Sequence, residues 1–584
     1  MARPPYIFSP LADNPQTRQF GALVARNFRL PPQLGEIMYM RGITTLEAAE
    51  QFLHPQLSML PSPQSMKGMQ AAVDLIVSAL GNDRPMLIHG DYDVDGITAT
   101  TLLTAFFREV GIRTAFVIPN RLDERYGLSV PSIDRLLAQL DDRKRGGVLI
   151  TVDCGISACE EVGYARQQGL QVIITDHHEP QEGLPDAEAI LNPKQVDCPF
   201  PFDQLAGVGV AFFLVMALRK ALSELGLIDG ARINLKKYLD LVALGTVADV
   251  VPLVGINRIL VRAGLEVLSA KQRPGVLALC ERCGIADREV LSEDISFKLA
   301  PRINASGRLG TPLVGVELLL AETAEAAQQP ADTLVQLNEQ RKQLELSALE
   351  VIEPQCRHQV QAGWNGLAVY HHGCHPGVLG IVASRIAERF QRPAIVFTDE
   401  QAQGAQHHLK GSGRSIAGIH LFQLLQHCTQ YITQYGGHAM AIGLTIKQPL
   451  LDDFARLFNQ QVISRCAEAL EEGKGIEIDY HIAEKKQLTR YLARSLQAMQ
   501  PFGEGNPEPT FLLSSERLKH PKRLNGHLRF QVQTNDHVFP GIGFRLADQE
   551  QDYQEPHDLI FHLKRSWFRG VEQDQVQAIH VVST

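Results

Sequence analysis

From about residue 70 to 195, short apolar runs alternate with stretches of helical periodicity: Pro85-Met-Leu-Ile-His89, Thr114-Ala-Phe-Val-Ile118, Gly147-Val-Leu-Ile-Thr-Val152 and Gln171-Val-Ile-Ile-Thr175. Strands that alternate with helices of about 10–15 residues imply crossover units, and uniformly apolar strands imply a parallel sheet buried on both faces. Residues 331–361 carry one charged side and one apolar side, which predicts a long helix linking two domains. Beyond it, Gly366-Leu-Ala-Val-Tyr370, a helix near 378–390 and Pro393-Ala-Ile-Val-Phe397 predict a smaller strand-helix-strand unit, followed by two glycine-rich polar turns, Gly411-Ser-Gly-Arg-Ser415 and Gly436-Gly-His438. From about 475 short strands are broken by turn signals, with Asn525-Gly526 a strong hairpin signal, so a small antiparallel barrel or sandwich is expected. The resulting division is an N-terminal segment at 1–70 with a helix near Thr45–Leu53, an α/β parallel-sheet domain at 71–330, the linker helix at 331–361, a second α/β domain at 362–470 and a β domain at 471–584.

Length and composition agree with that division. A chain of 584 residues exceeds one hydrophobic core and predicts two to four domains. With 45% hydrophobic and 21% charged residues, it contains no tract that reads as disordered. The opening segment lacks a basic-then-apolar signal pattern and no apolar run reaches bilayer length, so a cytoplasmic protein without a membrane span is expected. Nine scattered cysteines predict reduced thiols, and the lone pair Cys280 and Cys283 reads as structural for want of two further zinc ligands. A net charge of −9 argues against an overall basic surface, but bound cations would cancel part of it.

The chemistry sits just past the strands. His89-Gly-Asp91-Tyr-Asp93-Val-Asp95-Gly96 sets three carboxylates and an imidazole together, which repel unless a cation lies between them. A calcium loop of the EF-hand type is excluded, because the twelfth residue from Asp91 is Leu102 where a Glu is required. Asp153-Cys-Gly155 and Asp176-His177-His178 follow the next two strands, and clusters at neighbouring strand ends converge on one crevice in an open α/β sheet. Mixed carboxylate and imidazole ligands suit manganese, with magnesium as a substitute and zinc less favoured. Asp249, in Ala-Leu-Gly-Thr-Val-Ala-Asp-Val-Val-Pro-Leu, supplies another carboxylate just after an apolar helix, and taken alone it reads equally as a site residue or as an N-cap or surface residue.

The ordered set of the His89–Gly96 segment, VDCG, DHH and VADVVPL resembles the motifs of the DHH phosphoesterases, and Gly436-Gly-His438 is similar to the GGGH segment of their second domain, with Tyr435 at the first glycine. PRINASGRLG (301–310), CHPGVLGIVASR (374–385), GSGRS and PFGEGNPEP (501–509) are similar to the RecJ-type exonucleases within that superfamily. The resemblance implies a DHH domain, a DHHA1-like substrate domain and an oligonucleotide-binding (OB-like) barrel. It assigns Asp93, Asp95, Asp153, His177 and Asp249 as ligands of two divalent ions, with Asp153 bridging. His89 matches a ligand position of some members, Asp91 is additional, and His178 faces the scissile phosphate. Two ions would activate water for in-line attack, with no covalent intermediate.

The implied substrate is single-stranded DNA, degraded from the 5′ end to mononucleotides in recombination and repair. Arg302, Asn304 and Arg308 form a phosphate-capable group, and Ser412, Arg414, Gly436, Gly437 and His438 would hold the terminal phosphate and adjoining backbone, with Arg121 joining them. Lys519, His520, Lys522 and Arg523 are set either to meet the incoming strand or to form a solvated hairpin tip. A monomer is expected, with a single-strand-binding protein among its partners. Two alternatives remain: a DHH enzyme for short oligoribonucleotides, cyclic dinucleotides or pyrophosphate, which would not need the third domain, and a non-catalytic scaffold, which would have lost ligands that are all present here.

Overall fold

All four apolar runs become strands in the computed structural model, which describes residues 6–583 apart from 121–126, 141–145, 182, 401–406, 467–474, 535–536, 548–554 and 569–570. The chain forms two compact units, one of Pro61–Val251 with Ala263–Gly473, the other of Met1–Leu60, Pro252–Arg262 and Lys474–Thr584.

In the larger unit, Thr114–Val117, Met86–Gly90, Val148–Val152, Gln171–Thr175 and Ala189–Leu191 lie in that spatial order as one parallel sheet. The chain leaves Met86–Gly90 for one neighbour and returns to pair Val148–Val152 on its other side, so the strand order reverses between these two. That reversal opens a crevice at their carboxyl ends. The register pairs Gly90 with Val152 and Val152 with Thr175, which brings the residues that follow, Asp91, Asp153 and Asp176, side by side.

A helix at Ala324–Gln361 leads to the second domain of this unit. It begins seven residues before the expected start, because Thr323 caps it by accepting a hydrogen bond from Ala326 N–H and Pro330 is accommodated within it. Along its buried stripe, Glu345 pairs with Arg341 at 2.7 Å and with Arg385 of helix Leu379–Phe390 at 3.1 Å, which ties the linker to the second domain. That domain's sheet runs Ile432–Gly437, Ala441–Lys447, His408–Arg414, Ala394–Asp399, Leu367–Tyr370. The two expected glycine-rich turns are strand instead: GSGRS ends His408–Arg414, and Gly436 and Gly437 end Ile432–Gly437. The glycines make room for neighbouring side chains. A Cβ on Gly411 would lie 2.5 Å from the Phe397 ring, and one on Gly413 2.6 Å from Ile442.

In the smaller unit, Tyr480–Ile482, Phe511–Glu516, His557–Phe568, Val571–Ser583, Val538–Gly543, His527–Gln533 and Lys519–Leu524 form one sheet in that order. It is mixed, not all antiparallel: the first two strands are parallel, as are Val538–Gly543 and Val571–Ser583. Asn525 and Gly526 form the expected hairpin, with φ of 49° and 76° as a two-residue turn of this type requires. Helices Pro15–Phe28, Pro32–Met40 and Leu46–Leu53 share this unit's core: Phe20, Val24, Leu34, Ile37 and Leu53 belong to one cluster with Leu496, Phe511, Phe539 and Phe561. Arg258, 2% exposed, stacks on Phe52 and donates to the carbonyls of Phe52, Gln500 and Pro501. Among the described residues no helix is long and apolar enough to cross a membrane.

Candidate metal centre and substrate cleft

Asp93 caps the helix Val94–Glu109, its Oδ1 accepting from the N–H groups of Asp95 and Gly96. Asp95 is buried in the first turn, where its two oxygens accept from Gly207 N at 2.6 Å and Val208 N at 2.8 Å, the opening of helix Gly207–Glu224. These bonds fix the carboxylate's direction through a second helix start. Asp153 follows its strand with φ of 61° and is 2% exposed. Glycine at 207 is required behind it, because a Cβ there would stand 2.7 Å from Asp153 Cβ. Asp249 ends the helix Leu239–Ala248.

His177 joins these elements. Its Nε2 lies 3.1 Å from Asp153 Oδ1, 3.5 Å from Asp249 Oδ2 and 3.9 Å from Asp95 Oδ2. Three overlapping sets bring one ligand atom per residue within 4.8 Å of one another: Asp153, His177 and His178; Asp95, His177 and Asp249; Asp91, Asp93 and Asp153. The donor set fits hard divalent cations, and His177 Nε2 and Asp153 Oδ1 are buried without a hydrogen-bond partner.

The electrostatics point the same way. Burial, then repulsion from Asp93, pushes the Asp95 carboxyl up to about 7 despite the two helix N–H groups. Burial and the Asp95 and Asp93 charges push Asp249 to about 9, and burial and its acidic neighbours hold Asp153 well above the usual carboxylate range. Burial, with the His178 charge, drives His177 down to about 3, so it is a neutral imidazole with a lone pair to offer. His178 behaves oppositely. Burial opposes its charge, but a 2.7 Å hydrogen bond to Asp176 and the surrounding carboxylates outweigh that and raise it to about 9. Asp176 also accepts from the backbone N–H groups of Ile156, His177 and His178, and so sets the orientation of the whole triplet.

The centre opens into a cleft of about 810 Å³, walled on the first domain by Asp91, Asp93, His178, Asn304 and Arg308 and on the second by Gly436, Gly437 and His438. The sequence-predicted substrate residues are thus divided. Asn304 lines the cleft, and its Oδ1 accepts from Val94 N, supporting the Asp93 turn. Arg308 reaches across to the Gly377 carbonyl at 3.2 Å. Arg302 turns away, its Nη1 donating to Lys298 O. Ser412 and Arg414 do not line the cleft; Arg414 donates to Gly413 O and to Ser412 Oγ, and a Cβ on Gly380 would lie 2.7 Å from its Nη2. His89 belongs to none of the three ligand sets and faces Cys154 Sγ at 3.5 Å. Arg121 lies outside the described residues. Lys519, His520, Lys522 and Arg523 are exposed on an edge strand of the smaller unit's sheet. Asp91 as a member of a ligand set and Asp176 as the orienting group were not assigned from sequence, although both stand in acidic motifs at strand ends.

Residues 85–246 match the DHH family N-terminal domain, 363–464 the DHHA1 domain and 478–580 the RecJ OB domain. The single-stranded-DNA-specific exonuclease RecJ of Dickeya dadantii is 40% identical over 572 residues, covering 94% of this chain and 96% of that protein. The structure of RecJ from Thermus thermophilus in complex with Mn2+ superposes with a TM-score of 0.80 at 29% identity, covering 100% of this chain and 80% of that one. The Mg2+ complex from the same organism gives 0.74 at 27% identity, covering 99% of this chain and 78% of that one.

Proposed function

The chain belongs to the RecJ family of single-stranded-DNA-specific exonucleases, and from that premise we propose that it hydrolyses single-stranded DNA from the 5′ end to mononucleotides at a pair of divalent ions, Mn2+ with Mg2+ as substitute. The observation that carries this reading is that Asp153 and His177 each belong to two of three overlapping sets of ligand atoms at the carboxyl ends of the sheet strands. Asp91, Asp93, Asp95, Asp153, His177 and Asp249 would hold the ions. Two bound cations would acidify a water and neutralise charge on the phosphate.

The chain's own groups do the rest. His177, held neutral by burial, donates its lone pair. His178, kept cationic by Asp176, faces the cleft and donates a hydrogen bond to a non-bridging phosphate oxygen as charge grows there. Arg308, and Gly436, Gly437 and His438 at the end of the strand Ile432–Gly437, hold the phosphates of the end being cut, and Asn304 keeps the Asp93 turn in place. The reading includes a cytoplasmic monomer working in recombination and repair, with a single-strand-binding protein as a partner. Its nine cysteines are free thiols, as a reducing compartment keeps them.

The test offers 5′-labelled and 3′-labelled single strands, single-stranded RNA, duplex DNA and a dinucleotide to the purified protein with Mn2+. Stepwise release from the 5′ end of DNA is expected; release from the 3′ end, or preference for the dinucleotide, refutes the reading. Asp153→Ala should abolish hydrolysis while leaving the melting curve close to wild type.

A further inference from the structure

Helix Ala300–Arg308 holds the acidic turn by contacts that leave no room for a side chain. A Cβ on Gly307 would lie 2.4 Å from the Tyr92 carbonyl oxygen and 3.3 Å from its carbon, so the helix rests directly on the backbone between Asp91 and Asp93. Three residues earlier on the same face, Asn304 Oδ1 accepts from Val94 N at 3.1 Å. The residue after Gly307 is gripped in turn by the second domain. A Cβ on Gly377 would lie 2.2 Å from the Arg308 carbonyl oxygen, and Arg308 Nη1 donates to the Gly377 carbonyl at 3.2 Å. Neither glycine takes a positive φ, and glycine is a poor residue inside a helix, so the local backbone calls for neither. The close approach does: each lacks a side chain where two backbones touch.

Gly377 is itself fixed within its domain. Its N–H donates to His375 Nδ1 at 3.1 Å, and the neighbouring Cys374 carbonyl accepts from Thr398 Oγ1 at 2.8 Å. The turn Pro376–Val378 then runs straight into helix Leu379–Phe390, which Arg385 ties to Glu345 of the linker. Two backbone contacts, at Gly377 and Gly307, therefore stand between the second domain and a turn whose Asp91 and Asp93 share a set of ligand atoms with Asp153. Close-packed contacts of this kind pass on a displacement instead of absorbing it. We infer that Gly377 is a positioning residue for the metal centre: by seating the end of helix Ala300–Arg308 it sets, through Gly307 and Asn304, where the Asp91 and Asp93 carboxylates stand. The inference rests on the reading of that turn as part of the metal centre. It gives the second domain a part in metal binding besides holding substrate.

The test measures Mn2+ affinity by calorimetry, with thermal melting alongside, in Gly377→Ala and Phe454→Leu. Phe454 belongs to the second domain's other core cluster, apart from the one that holds Cys374 and Val378, so its variant loosens the same domain without touching the helix contact. Gly377→Ala should weaken Mn2+ binding about tenfold, the low end for groups that orient metal ligands. Phe454→Leu should melt lower than wild type and bind Mn2+ as wild type does. Weakening in both variants, or in neither, would overturn the inference. Wild type supplies a second measurement that needs no variant to fold. Coupling between two sites is reciprocal, so Mn2+ should slow amide hydrogen exchange at Gly377 and Val378 as well as at Val94, and leave strand Ala441–Lys447 as it was. Slowing at Val94 alone, or equally along that strand, would overturn the coupling. Asp93→Asn separates the two levels. If it binds Mn2+ as tightly as wild type, the turn is no metal site and the inference falls with that reading; if it binds more weakly while Gly377→Ala does not, the reading stands and the inference alone falls.

Discussion

Replacing Gly207 by alanine puts one methyl group against the back of the metal centre. The new Cβ would lie 2.7 Å from Asp153 Cβ, 2.8 Å from its Oδ1 and 2.9 Å from its Cγ. Carbon–carbon contacts settle at about 3.5–4.0 Å, so the two groups must separate by roughly 1 Å. If Asp153 yields, the shared carboxylate moves by that amount, and a displacement of this size at a reacting centre lowers turnover about a hundredfold. If the helix yields, its first N–H groups withdraw from Asp95, where charge-assisted bonds contribute about 1.5–3 kcal/mol each. Either route destabilises the unit by about 1–3 kcal/mol. The assay is Mn2+-dependent release from a 5′-labelled strand, with calorimetric Mn2+ titration and urea unfolding on the same preparation. Gly209→Ala is the control: in the same helix its nearest neighbour, Leu205 Cδ2, would be an ordinary 3.4 Å away, so activity stays near wild type and helix propensity adds up to about 1 kcal/mol. Wild-type turnover and Mn2+ affinity in Gly207→Ala would refute the claim that this glycine seats Asp153.

Three further outcomes follow from the same geometry. Stripped of metal, the protein should melt lower at pH 8.5 than at pH 6.5, because Asp95 near 7, Asp249 near 9 and His178 near 9 all bind protons more tightly folded than unfolded and stability falls as pH rises through those values; His177, near 3, weakens the fold only below its ordinary range. Mn2+ should restore more of the melting temperature at pH 8.5 than at 6.5, and a melting temperature that rises with pH in the metal-free protein would contradict the assignment. Asn304→Ala strips the acceptor from Val94 N–H and should cost about 0.5–2 kcal/mol in urea unfolding along with a weaker Mn2+ titration. Arg308→Ala should raise KM for a 5′-phosphorylated strand well above the effect of Arg302→Ala, since only Arg308 reaches the cleft; equal effects would place Arg302 there too.

Four of the five strands in the first domain's sheet were legible because runs such as Val-Leu-Ile-Thr-Val suit a strand buried on both faces, and Asn525-Gly526 marked its hairpin because only such residues take two successive positive φ values cheaply. The clustering of these carboxylates and histidines was legible because they stood at successive strand ends. What failed had local causes. Arg302, Asn304 and Arg308 were read as one group, but they lie on the helix Ala300–Arg308, where positions four apart share a face and positions two apart do not. GSGRS was read as a turn because glycine and serine dominate it, whereas its glycines answer to the Phe397 ring and Ile442 on adjacent strands, which only the assembled sheet supplies.

The core shared by the N-terminal helices and the C-terminal sheet has a consequence for how the protein is made. At about 5–20 residues per second on the ribosome, Phe20, Val24 and Leu34 wait roughly half a minute to two minutes before Phe511, Phe539 and Phe561 emerge to cover them. Through that interval three amphipathic helices have an apolar face and no partner, and Arg258 has neither Gln500 nor Pro501 to receive its N–H groups. The late stage of biosynthesis is therefore this protein's vulnerable moment, and a nascent chain stalled after the second α/β domain would present to chaperones and proteases the surface that the finished protein hides.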